Sequence, residues 1–483
     1  MTTDQKKFIK SVLEAKANDL KSVSDYIWHH PETRFEEYQS SQKLIEALQK
    51  EGFTVKKHVA DIETAFEGRY GEGQPVIGFL GEFDALSGLN QQPLTDKKEP
   101  ISGDESGNGH GCGHNLLGVG SLGAAIATKS YLEENNLPGT VVYLGCPGEE
   151  GGSGKTFMAR EGAFDDLDYA FCWHPSAANA IMSKKTLANY QVYFKFHGIS
   201  SHAANSPELG RSALDAVELM NVGTNYLREH INDNERIHYA VTNTGGISPN
   251  VVQSEAEVIY LIRAESLKGA NELFNRVKKV AHGASLMTET EYEVIIDKAC
   301  SDYNPNRTLE SIMYQYLREE EPYIKYSKED QSFAEKVWQT LSQNEQDNAI
   351  KSLSSFGVIN DGDKLRNKLL SDVVNNYVQS EIPMLGSTDV ADVSWVTPTA
   401  QVTCSTEIIG TPLHTWQMVT QGIADYAFEG MFRAARVMSN SAIHVLQHPE
   451  ILEQMKAEHQ QQLKSYPYRN PIPKDITPSK INN

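Results

Sequence analysis

Residues 3–50 carry apolar side chains at helical spacing with charged residues between them. They predict amphipathic helices, broken at His30–Pro31, where the residue before proline is pushed out of the helical region. From Pro75 the pattern changes to short continuous apolar runs, Val76–Leu80, Thr140–Cys146 and Tyr169–Trp173, each of strand length. The first ends in Gly81-Glu82-Phe83-Asp84, the second in Pro147-Gly148-Glu149-Glu150, the third in His174-Pro175. Between them lies a helical stretch, Leu116–Asn135, whose Gly120, Gly123, Ala124 and Ala127 permit close packing on a sheet. Buried strands alternating with helices predict an α/β layer with both sheet faces covered.

Residues 185–300 have a different texture. Tyr190, Val192, Phe194 and Phe196 alternate with polar neighbours, the signature of a half-buried strand. Ser206-Pro207 predicts a helix N-cap with proline at the first helical position, ahead of an apolar face of Ala213, Val217, Met220, Thr224, Leu227 and Ile231. Strands follow near Ile237–Thr242 and Ala256–Arg263, then a helix around Ala270–Leu286 and a strand Tyr292–Ile296. The order β-α-β-β-α-β is that of a split ferredoxin-like unit. The expected domains are therefore 1–184, an inserted module 185–300, and 301–483, which closes the first domain. That last part is expected to be helical and charged through Leu370, with a turn at Gly386–Asp389 and a strand near Thr399–Ser405. A long helix is expected to start close to His414, ahead of an extended, proline-bearing tail from Pro467.

Composition narrows the classes. The 483 residues hold 44 Lys+Arg against 64 Asp+Glu, a formal charge of −20. So acidic a surface repels phosphate backbones, and no basic run opposes it, which excludes nucleic acid as a partner. The apolar runs fall far short of the ~20 residues of a membrane span, and the N-terminus lacks a signal-peptide core. Five cysteines, an odd number, argue against a disulfide framework and for the reducing cytoplasm.

The chemistry concentrates at the strand ends. Gly107-Asn108-Gly109-His110-Gly111-Cys112-Gly113-His114-Asn115 is a flexible loop that offers a thiolate and an imidazole two residues apart. It reads either as one edge of a metal site or as a glycine-rich loop with a small buried cysteine. In Glu149-Glu150 the adjacent carboxylates point different ways, so one can bind a metal while the other moves a proton, or both are solvated. Gly152-Ser153-Gly154-Lys155-Thr156 is similar to the end of a phosphate loop. That loop needs a glycine where Glu149 stands, and two carboxylates repel a triphosphate, so nucleotide binding is rejected. His174 and His414 are lone histidines that could equally be structural. Position shifts the balance, because sites in open α/β sheets form at the carboxyl ends of strands, where Asp84, Glu149, Glu150 and His174 all fall. In the inserted module, His202 and Asn250 could stabilise an oxyanion and Arg263 could hold a carboxylate, unless they are a turn and an ordinary surface charge.

Taken in order, His110-Gly111-Cys112-Gly113-His114-Asn115, Glu149-Glu150, His174-Pro175 and His414 resemble the metallopeptidase and aminoacylase superfamily. The branch is that of hippurate hydrolases, auxin-conjugate amidohydrolases and p-aminobenzoyl-glutamate hydrolases. The resemblance implies a mixed-sheet catalytic domain interrupted by a ferredoxin-like dimerisation (lid) domain. It implies two divalent ions, Mn²⁺ or Zn²⁺, on Cys112, His114, Glu150, His174 and His414, with Glu149 as general base. His202, Asn250 and Arg263 match lid positions that handle the oxyanion and the substrate carboxylate, and Asp84 matches an aspartate that orients a ligand. Asn115 replaces the branch's usual aspartate and, with Leu116-Leu117-Gly118, is similar to the B-subunit group of the p-aminobenzoyl-glutamate hydrolases. The implied activity is hydrolysis of N-acyl or N-aroyl amino acids such as p-aminobenzoyl-glutamate, with a small dipeptide as the alternative substrate. The implied assembly is a homodimer or higher oligomer, or a pairing with a related subunit. Two rivals remain open: a non-catalytic subunit, and a thiol hydrolase using Cys112 with a histidine.

Overall fold

The computed structural model describes residues 3–353, 365, 368–380 and 382–480. Three amphipathic helices, Thr3–Ala15, Ala17–His29 and Tyr38–Lys50, open the chain, with the break at His30–Pro31 between the second and third. Six strands follow: β1 (Thr54–Lys57), β2 (Phe66–Glu72), β3 (Val76–Gly81), β4 (Gly139–Gly145), β5 (Tyr169–Ser176) and β6 (Ala180–Ile181). Every residue of β3 and β4 is buried, as their unbroken apolar runs require. The helix His114–Asn135 is buried over most of its length, packed between the sheet and the helices Thr3–Ala15, Ala17–His29 and Asp425–Gln447.

That packing depends on Gly120. A Cβ there would lie 2.6 Å from Nε1 of Trp173 on β5, whose indole N–H donates to the carbonyl of Leu117 at 2.9 Å. The indole is rigid and fully buried, so it cannot swing aside. Gly120→Ala gains ~1 kcal/mol of helix propensity but overpacks the core by about 1–3 kcal/mol. A net loss in denaturant unfolding is the expected result, and an unchanged or raised midpoint would refute the close contact.

The chain then leaves the first sheet and builds a second from β7 (Ala188–His197), β8 (Arg236–Asn243), β9 (Glu255–Ala264) and β10 (Glu291–Cys300). These pair antiparallel in the order β10-β7-β9-β8, with the helices Ala213–Leu227 and Leu267–Thr288 on one face, which is the ferredoxin-like arrangement. The expected cap at Ser206-Pro207 is corrected. Pro207–Leu209 is a single 3-10 turn, and the helix starts at Ala213, where the Ser212 hydroxyl accepts the Asp215 N–H at 3.1 Å. An antiparallel bridge between Ile199 and Arg211 ties the two ends of the intervening loop together, so the helix can start only after Arg211.

After helices Arg307–Glu320, Lys328–Trp338 and Gln343–Leu353 the chain returns through β11 (Thr399–Ser405). The helical expectation for 354–364 lies outside the described residues. The first sheet runs β1-β2-β4-β3-β5-β11-β6, parallel across β4, β3, β5 and β11 and antiparallel at both margins, a mixed sheet. The helix expected to start near His414 is also corrected. A short helix, Trp416–Gln421, ends at Gly422, and the long one is Asp425–Gln447, followed by Pro449–Ser465 and an extended tail. No described helix is long and apolar enough to cross a membrane.

Candidate active site

Because β3, β4, β5 and β11 are parallel, their carboxyl ends open on one edge of the sheet, and the polar residues after each strand meet there. Gly113, with φ +72°, turns the loop into the helix that begins at His114, which sets Cys112 and His114 on either side of a sharp bend. Cys112 Sγ lies 3.4 Å from His174 Nε2. His174 is fixed from behind, its Nδ1–H donating to the Pro175 carbonyl at 2.6 Å, which leaves Nε2 as the free lone pair. Burial and the neighbouring His114 lower its pKa to about 4, so the imidazole is neutral at physiological pH. Glu150 reaches the other way, with Oε2 3.3 Å from His414 Nε2. His414 itself has φ +60°, and its N–H donates to the Gly111 carbonyl at 2.8 Å, which folds this late loop back onto the early one.

Asp84 organises the set. Its Oδ1 accepts from His114 Nδ1 at 3.0 Å and its Oδ2 accepts the backbone N–H of Glu150 at 2.9 Å. Burial opposes the ionisation of Glu150, but His414 and His114 outweigh it and hold the carboxyl at about 2. Burial, then Glu150, pushes the Cys112 thiol well above its usual range, so a thiolate here needs a cation beside it. Ligand atoms fall within 4.8 Å of one another in three groups: Cys112/His114/His174, Cys112/Glu150/His414 and Glu82/His114/Glu149. His114 Nε2 and Glu150 Oε1 are buried with no hydrogen-bond partner among the described residues. Buried polar atoms without partners, set among sulfur, nitrogen and oxygen donors, fit divalent cations.

These groups border one cavity of about 530 Å³. Of the residues expected at the site, Cys112, Glu149, Glu150, His174, His414 and Arg263 line it. His114 and Asp84 stand behind that lining, so Asp84, expected among the catalytic groups, orients His114 and Glu150 without touching the cavity. His202 and Asn250 are not brought to this chain's cavity. Both are exposed on the second sheet's loops, where His202 bridges to Val251 and its Nδ1 accepts N–H groups of Ala204 and Asn205. Glu149 is half-buried and makes no hydrogen bond among the described residues. Its enclosure, and then Glu82, Asp389 and Glu150, push its carboxyl well above the usual carboxylate range.

Residues 78–411 match the model of peptidase family M20/M25/M40. The chain belongs to this family. It is an amidohydrolase of M20 architecture, and its site carries the candidate ligands of a metal centre. Among curated proteins it is 48% identical to the p-aminobenzoyl-glutamate hydrolase B-subunit of Escherichia coli (strain K12), covering 98% of this chain and 99% of that protein. Among solved structures it superposes on a putative aminohydrolase of methicillin-resistant Staphylococcus aureus with TM-score 0.62 and 15% identity, over 92% of this chain and all of that one. It also superposes on the Bacillus subtilis YXEP protein, described as a dinuclear metal binding peptidase from the M20 family, with TM-score 0.54 and 16% identity, over 90% and 99% of the two chains.

The sequence reading missed part of this M20 site. Lys155 is fully buried, and its ammonium lies 2.7 Å from both Glu82 Oε1 and Asp389 Oδ1. It neutralises two carboxylates beside Glu149, but Asp389 is 234 residues away in sequence, and no local pattern links them. Glu407, after β11, is a second omission, 2% exposed and lining the cavity. Burial pushes its carboxyl up to about 8 from an ordinary 4.5. The folded chain thus holds this proton more tightly than the unfolded chain. The contribution favours folding below pH ~4.5 and is lost as pH rises through about 8. Glu407→Gln, which removes the titration, should flatten the fall in thermal midpoint between these limits; an unchanged slope would sink the assignment.

Proposed function

We propose that this chain hydrolyses the amide bond of N-acyl and N-aroyl amino acids such as p-aminobenzoyl-glutamate, with Glu149 as general base. The observation that carries the reading is one half-buried carboxylate, Glu149, free of hydrogen bonds among the described residues, beside adjoining clusters of sulfur, nitrogen and oxygen donors on the same cavity. Cys112, His114, Glu150, His174 and His414 would hold two divalent cations, with Asp84 fixing the orientation of two of those side chains. Bound there, the cations would supply Lewis-acid chemistry, polarising the scissile carbonyl and acidifying a water. Glu149 takes the proton of the attacking water and returns it to the leaving amine, a shuttle that needs a carboxylate not itself tied to a cation. Arg263 receives the substrate carboxylate. Thiolate and imidazole donors favour zinc by softness, and the family likeness supports manganese equally.

The relative that matches almost the whole chain is named as a subunit, which supports assembly with a second copy or a related partner subunit. Exposed Leu219, Val222 and Tyr226 on one helix, and Tyr239 and Val241 on edge strand β8, supply apolar surface for it. In such an assembly the exposed His202 and Asn250 would serve a neighbouring cavity as oxyanion and substrate groups. Five free, buried cysteines support a cytoplasmic setting. The test is metal analysis of the purified chain, then a screen of N-acyl amino acids, p-aminobenzoyl-glutamate and small dipeptides with Mn²⁺ or Zn²⁺. Two bound metals without turnover of any of these would favour the non-catalytic subunit instead.

A further inference from the structure

The cavity's wall on the second sheet is cationic, and one of its cations is there because of a slip in register. Along β10, Val294 and Ile296 pair with Phe194 and Val192, whose side chains are buried on the helix-covered face. Strict alternation would put Lys298 on that same face. Instead the register shifts between Ile296 and Lys298, so that Lys298 pairs with Gln191 and Cys300 with Asn189. One extra residue, Asp297, turns every following side chain to the opposite face. Asp297 is held in place by Arg34 at 2.9 Å and by Gln191 at 2.7 Å. On the opposite face, Asn189 pairs across β7 and β9 with Arg263. Arg263, Asn189, Lys298 and Cys300 therefore share a face, and all four line the cavity.

Neither cation has a carboxylate partner among the described residues. Lys298 is 9% exposed, and its ammonium has no hydrogen bond or ion pair among the described residues. Arg263 has no carboxylate partner among them either, only weak contacts to the Leu385 carbonyl at 3.5 Å and the Ser387 hydroxyl at 3.4 Å. Between them, Asn189 is 2% exposed; its amide nitrogen donates to Cys300 Sγ at 3.0 Å, and its carbonyl oxygen, an acceptor, has no partner among the described residues. In a chain of net charge −20, a buried Lys298 and a half-buried Arg263 thus face one cavity without a counter-ion among the described residues. Burying such charges is costly unless an anion arrives. The strands carrying Arg263 and Lys298 are separated only by β7, about 10 Å, a gap that two long side chains can close around one small dianion.

We propose that Lys298 is a specificity residue for the second carboxylate of a dicarboxylic amino acid, with Arg263 on the first. The proposal rests on the amidohydrolase reading above and narrows it to N-aroyl amino acids whose side chain ends in a carboxylate, such as glutamate. The test compares p-aminobenzoyl-L-glutamate with p-aminobenzoyl-L-glutamine, which has the same shape without the charge, on Mn²⁺-loaded full-length protein. Lys298→Met should lower the glutamate-over-glutamine ratio of kcat/KM by about 30-fold, mainly through KM, and Lys298→Arg should recover most of it. An equal loss on both substrates, or no change in the ratio, overturns the proposal. Failure of the wild-type chain to hydrolyse either substrate would sink the amidohydrolase reading instead, and a binding arm then decides. L-Glutamate should raise the thermal midpoint of the loaded wild type more than L-glutamine does, and lose that advantage in Lys298→Met. Equal shifts from the two ligands in the wild type overturn the proposal whatever the turnover.

Discussion

Glu149→Gln is expected to lower kcat by about 10²–10⁴-fold while the protein still binds two divalent cations. The substitution keeps the shape of the side chain and removes its capacity to take a proton. Glu149 has no hydrogen bond to lose among the described residues, and its carboxyl is held above the usual range by enclosure and by Glu82, Asp389 and Glu150. Divalent cations held by the neighbouring donor clusters would counter that push. The decisive measurement pairs single-turnover kinetics with metal analysis of the same sample. A variant without metal would make Glu149 a ligand, and a fully active one would leave the reaction without its base.

The second large effect is on the metal itself. Glu150→Gln and His174→Ala should each empty at least one position and abolish turnover, because each removes a donor from a set closed by contacts of 3.3–3.4 Å. Asp84→Asn should weaken metal affinity by about 10–100-fold, since Asp84 acts through His114 Nδ1 and the Glu150 N–H from behind the cavity. The series is read by metal titration into chelator-stripped protein, followed by activity on adding Mn²⁺ or Zn²⁺. The same experiment separates the thiol-hydrolase rival, which the 3.4 Å contact between Cys112 and His174 would favour. Burial and Glu150 hold that thiol protonated in the absence of a cation. Stripped protein should therefore be inert, and turnover that survives chelation would favour the thiol enzyme.

Much of the molecule could be read along the chain. Continuous apolar runs located β3, β4 and β5, and alternation located the strands of the inserted sheet, because burial on two faces or one leaves those two signatures in the order of residues. The strand ends located the candidate site for the same reason: parallel strands expose their carboxyl ends on one edge. Local chemistry misled in two places. Ser206-Pro207 has the composition of a helix start, but the Ile199–Arg211 bridge overrides it. Near His414 the sequence suggested one long helix, but the chain is divided by the left-handed turn at His414 and a break at Gly422.

What the amino-acid order determined by itself is periodicity, strand ends and the residue types of a metal hydrolase, all of which depend on near neighbours. Only the tertiary structure decided which charges face one another. Lys155 finds Asp389 from 234 positions away, Asp84 stands behind the candidate ligands, His202 lies outside the chain's own cavity, and one extra residue in β10 turns Lys298 toward Arg263. Electrostatic energy depends on distance and burial in space, which a linear pattern does not encode, so the polar lining of the site became legible only once the sheets had been assembled.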